Sequence, residues 1–340
     1  MDIFNEYITP AQLTGYARAA LADRPENAFR LAQYMPYREV NDLVYRYDKG
    51  AGGLLEAANY RAYDAEPGFG SREGIERVTG ELPPIGQQYV LGEYDTLRLR
   101  ANADQAIRDL FLRDAERIAR QIQTRLEFAR ADALVNGSVT IAEKGVQATV
   151  SFNRSGSHSV SAAIAWSDHT NATVIDDLQT WADTYTTTNG ERPGTILTST
   201  TVINHMLRNK QVGLLVYPLA TTVPGQVTLL QLNQVLQDFD LPTITRFDAQ
   251  AKRNGVAQRF IPADKLLFLP ANGSDMGATL WGTTAESLEP EYGIAANEQP
   301  GIVVGAFKQK ETPVRVFTIG SAIALPILAQ PDLSFVADVI

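Results

Sequence analysis

The longest helical pattern of the chain is residues 102–136, NADQAIRDLFLRDAERIARQIQTRLEFARADALVN. Apolar residues recur there every three or four positions, which places them on one face of a helix. Acidic residues on the other face lie four positions before arginines, an order that stabilises exposed helices. Asn136 and Gly137 form a typical helix end. Such a helix would be about 50 Å long, too long for one small domain to cover, so the pattern predicts a spine helix. Its apolar face is Ile107, Leu110, Phe111, Ile118, Ile122, Leu126, Ala129 and Ala133, and its charge pairs are Asp104–Arg108, Asp109–Arg113 and Glu116–Arg120.

A long polar arm comes immediately before the spine. Residues 59–64 and 88–100 have the aromatic and aliphatic content of strands, and Leu97 and Leu99 alternate there with Arg98 and Arg100. The residues between these two segments are rich in glycine, proline and charge. A two-stranded ribbon is at best marginally stable in water without a second layer. We therefore expect the arm to pack against another copy of the chain.

Short elements flank the arm and spine. Thr9-Pro10 predicts the start of a helix and Pro25 the start of a second, and Gly50, Gly52 and Gly53 predict a hinge. After the spine, residues 139–165 predict two or three strands with a turn near 153–156. A helix capped near Asn171 or Thr173 should end at Asn189-Gly190. Further helices are predicted at 202–207 and 228–238, and strands at 195–197, 243–247, 265–269, 301–307, 314–319 and 333–339.

Composition bounds the possible classes of protein. The 340 residues are 44% apolar, enough for a core shared by two or more subdomains. The absence of cysteine excludes disulfides and thiolate metal sites. The N-terminus has no signal-peptide pattern, and the apolar stretch 316–329 is interrupted by Pro326 and too short to span a bilayer. We expect a soluble protein made in a cytoplasm.

Charge narrows the partners. The net charge of −9 argues against tight nucleic-acid binding, which needs a basic surface. Arginine supplies 23 of the 30 basic residues, and eight arginines fall between Arg98 and Arg130. The planar guanidinium suits carboxylates at interfaces. The alternative is that these arginines form a solvated helix face.

The chain shows no pattern of a catalytic centre. Three histidines lie far apart and lack a second ligand at helical spacing, so no zinc site is predicted. No serine lies in a nucleophile elbow, and the glycines of the arm match a phosphate-binding loop only loosely. We predict no catalytic, cofactor or metal site. The residues considered are His158, His169, His205, Ser155, Ser321, Gly68, Gly70 and Gly74.

Pairs of carboxylates were considered as cation ligands. Asp176 and Asp177 suit the N-terminus of a helix, where negative charge is stabilising. The other pairs could bind a divalent cation weakly, but solvated loop acids explain them better. These other pairs are Asp238 with Asp240 and Glu289 with Glu291.

The order of these parts resembles the major capsid proteins of tailed bacteriophages with the HK97-type fold, and most closely the lambda-type family. The most specific match is Arg315-Val316-Phe317-Thr318-Ile319 followed by Ser321, Ala322, Leu325, Pro326 and Gln330-Pro331-Asp332. Residues 195–207, 260–269 and 277–282 support it. The layout covers nearly the whole chain, while the sequence-level match is confined to these patches.

The resemblance implies an α+β chain with four parts. Residues 1–53 would be an N-terminal arm and residues 54–97 the extended loop. Residues 98–172 and 282–318 would form the peripheral domain, and residues 173–281 and 319–340 the axial domain. The expected function is a major capsid protein whose hexamers and pentamers enclose double-stranded DNA in a virion assembled in the host cytoplasm.

Partners and contact residues follow from the same resemblance. The chain would bind itself, portal and scaffolding proteins, a possible decoration protein and, weakly, DNA, but no membrane. Because the sequence starts directly with the arm, a separate scaffold is expected. The proposed intersubunit contacts are Arg72, Glu73, Glu76, Arg77, Glu81, Arg98, Arg100, Arg108 and Arg113.

The chain departs from some members of the wider fold family in one respect. Those members join their subunits by an isopeptide bond from a lysine of the extended loop, whereas this chain has no lysine between Lys49 and Lys144. We therefore expect a non-covalent shell. Two alternatives stay open: an encapsulin-like shell that encloses an enzyme, and an α/β hydrolase or metal enzyme, for which no convergent residues are visible.

Overall fold

A computed structural model describes residues 2–22, 30–40, 42–49, 76–99, 104–143, 145–218, 226–271 and 276–340. The helices are α1 Pro10–Ala22, α2 Glu93–Leu99, α3 Asp104–Asn136, α4 Val174–Asn189, α5 Thr200–Arg208, α6 Lys210–Val216, α7 Leu229–Asp238 and α8 Ala285–Leu288. The strands are β1 Asp2–Ile3, β2 Tyr37–Glu39, β3 Val44–Lys49, β4 Glu76–Glu81, β5 Pro84–Leu91, β6 Ser138–Glu143, β7 Val146–Ser151, β8 Ser159–Ser161, β9 Thr195–Thr198, β10 Ile244–Arg246, β11 Gln250–Arg253, β12 Val256–Arg259, β13 Lys265–Leu269, β14 Gly277–Gly282, β15 Val303–Gln309, β16 Arg315–Leu328 and β17 Phe335–Asp338.

The strands form two larger sheets and three ribbons. The first sheet has the order β1-β15-β16-β14-β2, and β5 pairs with residues 316–323 of β16. The second sheet has the order β10-β9-β13-β17-β8. Within the described ranges, β3–β4, β6–β7 and β11–β12 form separate two-stranded ribbons. This mixture confirms the predicted α+β class.

The predicted spine helix is confirmed as α3, and it serves two hydrophobic cores. Its first half places Phe111, Ile118 and Ile122 in a core with side chains of α1 and the first sheet. Its second half places Phe128 and Leu134 in a larger core around the second sheet. The helix is therefore covered by two different sets of elements, as its length requires.

A buried ion pair lies where the spine passes from one core to the other. Arg130 Nη1 is 2.9 Å from Glu127 Oε2, and both side chains are almost fully buried. Arg130 Nε donates to the Thr279 hydroxyl (3.0 Å), which donates to the Met35 carbonyl (2.8 Å). Glu127 Oε1 accepts from the Leu31 backbone (2.9 Å). Burial raises the pKa of Glu127 and lowers the pKa of Arg130, and the opposite charge of each partner counteracts that shift. The network joins the spine, β14 and residues 31–36.

The N-terminal helix is held on the first sheet by polar contacts. The predicted helix start at Thr9-Pro10 is confirmed, and the Thr9 hydroxyl accepts from the Gln12 backbone (3.3 Å). The Thr14 hydroxyl both donates to and accepts from the Val304 backbone, at 3.2 and 3.0 Å. Arg18 Nε donates to the Ile302 carbonyl (2.9 Å). These bonds fix α1 beside β15.

The prediction of a strand over residues 88–100 is wrong for its second half. Strand β5 ends at Leu91, and residues 93–99 form α2. Glu93 and Asp95 in its first turn and Arg98 in its last turn complement the helix dipole. The alternation of Leu97 and Leu99 therefore does not reflect a strand.

The sequence predicted that the arm has no second layer within its own chain to pack on. This prediction is wrong for β5. This strand is hydrogen-bonded to β16 of the same chain, and Ile85, Tyr89 and Leu91 pack on the core beside the spine. Strand β4 pairs with β3, near the end of the expected N-terminal arm. The predicted strand at 59–64, the helix start at Pro25 and the glycine hinge lie outside the described residues.

Most elements after the spine agree with the predictions. Helix α4 follows Thr173 and is capped at its C-terminus by Gly190, whose φ of 77° lies in the left-handed region that favours glycine. Asp176 and Asp177 lie in its first turn, as expected. Thr228 and Gln231 form a capping box on α7. Strand β16, predicted over residues 314–319, continues to Leu328.

The expected domain boundaries do not coincide with the sheets. Residues 159–161 were assigned to the peripheral part, but β8 pairs with β17 in the second sheet. Strand β14 crosses the expected boundary at residue 281 and lies in the first sheet. The long strand β16 begins beside the first core and ends in the second, with Ala322 and Ala324 in one and Ile327 and Leu328 in the other.

His158 is fully buried at the end of a short 3-10 helix. Its Nε2 lies 3.0 Å from the Thr188 hydroxyl. Its ring lies against Tyr185 and Phe335, with centroid distances of 5.9 and 5.3 Å. Burial lowers the pKa of His158, so the folded chain holds it neutral.

We predict that Arg130→Met lowers the free energy of unfolding of the unassembled chain by about 3–5 kcal/mol, because Glu127 keeps a buried charge without its partner. Urea denaturation measures this change. Arg120→Met is the matched control, since Arg120 pairs with Glu116 (3.1 Å) on the same helix but both side chains are only half-buried; its effect should be smaller, about 0.3–0.5 kcal/mol. Equal losses in the two variants would contradict the role of the buried network.

We predict that His158 makes the chain less stable in acid. Its folded-state pKa lies below the unfolded value of about 6.5. Above pH 6.5 neither state is protonated and the contribution is constant; as pH falls below 6.5 the unfolded state binds the proton first and stability is lost. His158→Gln should therefore flatten the fall in unfolding free energy as the pH decreases below about 6.5. An unchanged pH slope in denaturation experiments would exclude this contribution.

Candidate functional site

The most exposed apolar side chains near the arm lie at the end of β5 and on α2. Tyr94 is 75% exposed, Leu97 62% and Val90 47%. Tyrosine and leucine at this exposure are costly to leave in water, and clustered apolar groups typically mark interaction sites. We call Val90, Tyr94 and Leu97 the loop-base surface.

The structure describes the side chains of four of the predicted contact residues. Arg98 lies on α2, beside the loop-base surface in sequence, and Arg108 and Arg113 lie on the first half of the spine. Glu81 ends β4. All four are exposed, as an intersubunit role requires. Of the other predicted contacts, Glu76 and Arg77 belong to β4 but their side chains are outside the described set, as are Arg72, Glu73, Arg100 and the hinge residues Gly50, Gly52 and Gly53.

Arginines near the middle of the spine make contacts within the chain. The Arg117 guanidinium lies 5.4 Å from the centre of the Tyr89 ring, a cation–π geometry. Gln121 Nε2 donates to the Tyr89 hydroxyl (2.8 Å). Arg120 pairs with Glu116 on the helix surface. Arg117 is exposed and also contacts Tyr89 of β5, so a solvated position on the helix is compatible with a contact inside the chain.

A groove of about 620 Å³ runs beside the spine, between the start of β5 and the β6–β7 and β11–β12 ribbons. Glu143 joins its walls, since it lies 3.2 Å from Arg125 and 2.9 Å from Arg253. Burial alone would raise the pKa of Glu143, but the two arginines hold it below its usual value. Arg253 also lies 5.9 Å from the ring centre of Phe128. The groove is thus bridged by charge within one chain.

A second exposed apolar surface lies on α6 and α7, which contact each other. Leu230 is 82% exposed, and Leu214 and Leu215 are also exposed. Gln231 Nε2 donates to the Tyr217 hydroxyl (2.8 Å), which fixes the two helices together. We call Leu214, Leu215 and Leu230 the helix-pair surface. These leucines are not predicted by the apolar stripes of the sequence, which mark only the buried face of a helix.

The described residues contain neither a metal site with three or more ligands nor a helix that could span a membrane. No group of three or more histidine, aspartate or glutamate side chains there could hold a metal ion. No helix of the same ranges has the length and apolar character needed to cross a bilayer. The candidate functional features are accordingly surfaces, and they point to association between chains.

Comparison with known proteins agrees with this. The family model described as phage major capsid protein E matches residues 31–339. No match was found among curated proteins.

Two solved structures resemble the fold closely in extent. A protein described as a prophage capsid protein from Escherichia coli CFT073 aligns with a TM-score of 0.64 and 13% identity over 96% of this chain and 99% of that chain. A phage-related protein from Bordetella bronchiseptica RB50 aligns with a TM-score of 0.55 and 12% identity over 96% of this chain and 95% of that chain. At these identities the likeness establishes the fold.

Proposed function

The chain belongs to the phage major capsid protein E family, and from this membership we propose that it forms the head of a tailed bacteriophage. It is a shell-forming capsid protein with an HK97-like fold. In the proposed role, hexamers and pentamers of the chain build an icosahedral shell around double-stranded DNA. The match of the family model to residues 31–339, which include both sheets and the spine, is the observation that carries the proposal.

We propose that the loop-base surface and the exposed spine arginines form one contact between copies. A cluster of apolar side chains next to arginines is typical of the energetically important centre of a protein interface. Val90, Tyr94 and Leu97 supply the apolar part, while Arg98, Arg108 and Arg113 supply the charged part. The helix-pair surface would make a second contact, around the five- and six-fold axes. Many modest contacts of this kind become strong together in a closed lattice.

The four-part division of the chain is part of the proposal. Residues 1–53 would act as the arm, 54–97 as the extended loop, 98–172 with 282–318 as the peripheral domain, and 173–281 with 319–340 as the axial domain. Portal and scaffolding proteins and a decoration protein are the proposed partners. The net charge of −9 favours weak contact with packaged DNA, because few counterions are released on binding.

An encapsulin-like shell is the remaining alternative among shell proteins. The family match favours the phage role over this alternative. Neighbouring genes for a portal or a DNA-packaging motor would support the phage role.

We predict that the expressed chain assembles. Electron microscopy should show closed shells or ring-shaped capsomers, because the two exposed apolar surfaces gain cover only from other copies. A chain that stays a stable monomer at high concentration would contradict the proposed function.

We predict that the double variant Tyr94→Ser/Leu97→Ser keeps the wild-type melting temperature but assembles poorly, because both side chains are exposed in the single chain. Size-exclusion chromatography with light scattering measures the loss. Val256→Ser is the matched control, since Val256 is 69% exposed at the tip of the β11–β12 ribbon and belongs to neither surface. Normal assembly of the double variant would remove the loop-base surface from the proposed contacts.

We predict a shell without covalent bonds between subunits. The extended loop and spine contain no lysine from residue 50 to 143, so the lysine route to an isopeptide bond is closed there. Boiling assembled particles in detergent should release single chains of 37.2 kDa on a denaturing gel. A ladder at multiples of this mass would show that the subunits are cross-linked.

A further inference from the structure

Two of the three histidines meet at the surface beside the second sheet. His169 lies in the turn before α4, and His205 lies on α5, 36 positions later. His169 Nε2 and His205 Nδ1 are 2.9 Å apart, and the ring centres are 5.2 Å apart. Both side chains are half-buried, so the pair reaches solvent. Because 36 positions separate the two histidines, helical spacing in the sequence does not predict this pair.

The backbone on each side of the pair is fixed independently of the histidine contact. The His169 carbonyl accepts from the Lys210 backbone (2.8 Å). The preceding Asp168 accepts from the backbones of Thr170 and Asn171, both at 3.1 Å, which closes the turn. Helix α5 is capped by Ser199. The two rings are therefore brought together by the fold.

The geometry suits a metal ion bound by two imidazoles. Zinc–nitrogen bonds are about 2.0–2.1 Å long, so two ligands of a tetrahedral ion lie about 3.3 Å apart. The observed 2.9 Å would need to open by about 0.4 Å, and both rings would turn so that their facing nitrogens, which now point at each other in a hydrogen bond, converge on the ion. One ring must also move its proton from the shared face to its outer nitrogen, so that both facing nitrogens offer a lone pair. No proton leaves the pair in this step.

We propose that His169 and His205 form a two-histidine site for a late first-row divalent cation such as Cu²⁺ or Zn²⁺, with water in the remaining positions. Two ligands are fewer than the four of a structural zinc site, so the site binds an exchangeable ion and folding does not require it. The charges nearby act in both directions. Asp168 lies next to His169 and attracts a cation, while Arg208 lies near His205 and repels one.

The composition of the chain makes the site easy to isolate experimentally. The chain has three histidines and no cysteine. The third histidine, His158, is fully buried against Tyr185 and Phe335. Strong binding of Cu²⁺ should therefore come from this pair.

The test is calorimetric titration of the full chain with Cu²⁺ or Zn²⁺ alone. We expect one ion per chain, with Cu²⁺ bound more tightly than Zn²⁺. His169→Gln and His205→Gln should each weaken binding at least about tenfold, since loss of even an outer-shell partner costs about 10–100-fold. Arg208→Gln is the matched control: it keeps both ligands and removes the repelling charge, so affinity should stay equal or rise.

Electron paramagnetic resonance of the Cu²⁺ complex provides a second measurement on the unaltered chain. The signal should carry hyperfine coupling from two imidazole nitrogens. Absence of binding, coordination by a single imidazole, or full affinity in both histidine variants would each overturn the proposal. The spectrum decides the matter even where a variant fails to fold.

Discussion

One helix supplies side chains to both hydrophobic cores, and the rest of the structure is arranged around that constraint. Ile118 and Ile122 of α3 belong to the core beside the first sheet, while Phe128 and Leu134 belong to the core around the second. A helix of 33 residues cannot be covered by either core alone. The two sheets must therefore keep fixed positions along the helix. If one of them moved along α3, apolar side chains of the helix would be exposed to water.

The buried pair Glu127 and Arg130 occupies the point where this coupling is tightest. Burial of two charges costs several kcal/mol per ion, which a single contact rarely offsets. Here Glu127 also accepts from the Leu31 backbone and Arg130 donates to Thr279. The pair therefore connects the spine with two other segments of the chain. An apolar pair of similar volume would pack with less penalty but would not select which backbone atoms lie opposite the spine. We infer that the network fixes the register of residues 31–36 and β14 on α3.

Local patterns in the sequence predicted local structure well and tertiary pairing poorly. The periodicity of α3 and the capping residues of α4 and α7 each depend on neighbours within a few positions, so they were visible. The pairing of β5 with β16 joins residues more than 200 positions apart, and no local sequence pattern near β5 predicts it. The prediction of a strand at Leu97 and Leu99 was wrong for a related reason. Apolar residues two positions apart occur in short helices as well as in strands. The spine arginines looked alike in sequence, yet Arg117 and Arg125 have partners on β5 and β6, which only the fold brings near.

In the described part of the chain, some polar side chains are buried and some large apolar side chains are exposed, which is unusual for a protein that functions as a monomer. Glu127, Arg130 and His158 are buried, while Tyr94, Leu97 and Leu230 stand largely in water. The buried charges of Glu127 and Arg130 stabilise each other, and the neutral His158 is hydrogen-bonded to Thr188. The exposed apolar groups have no such compensation, and their transfer out of water would release about 25 cal/mol per Å². In the proposed role, a second copy placed over these helices covers them, and the exposure that would be a liability in a monomer drives assembly of the shell.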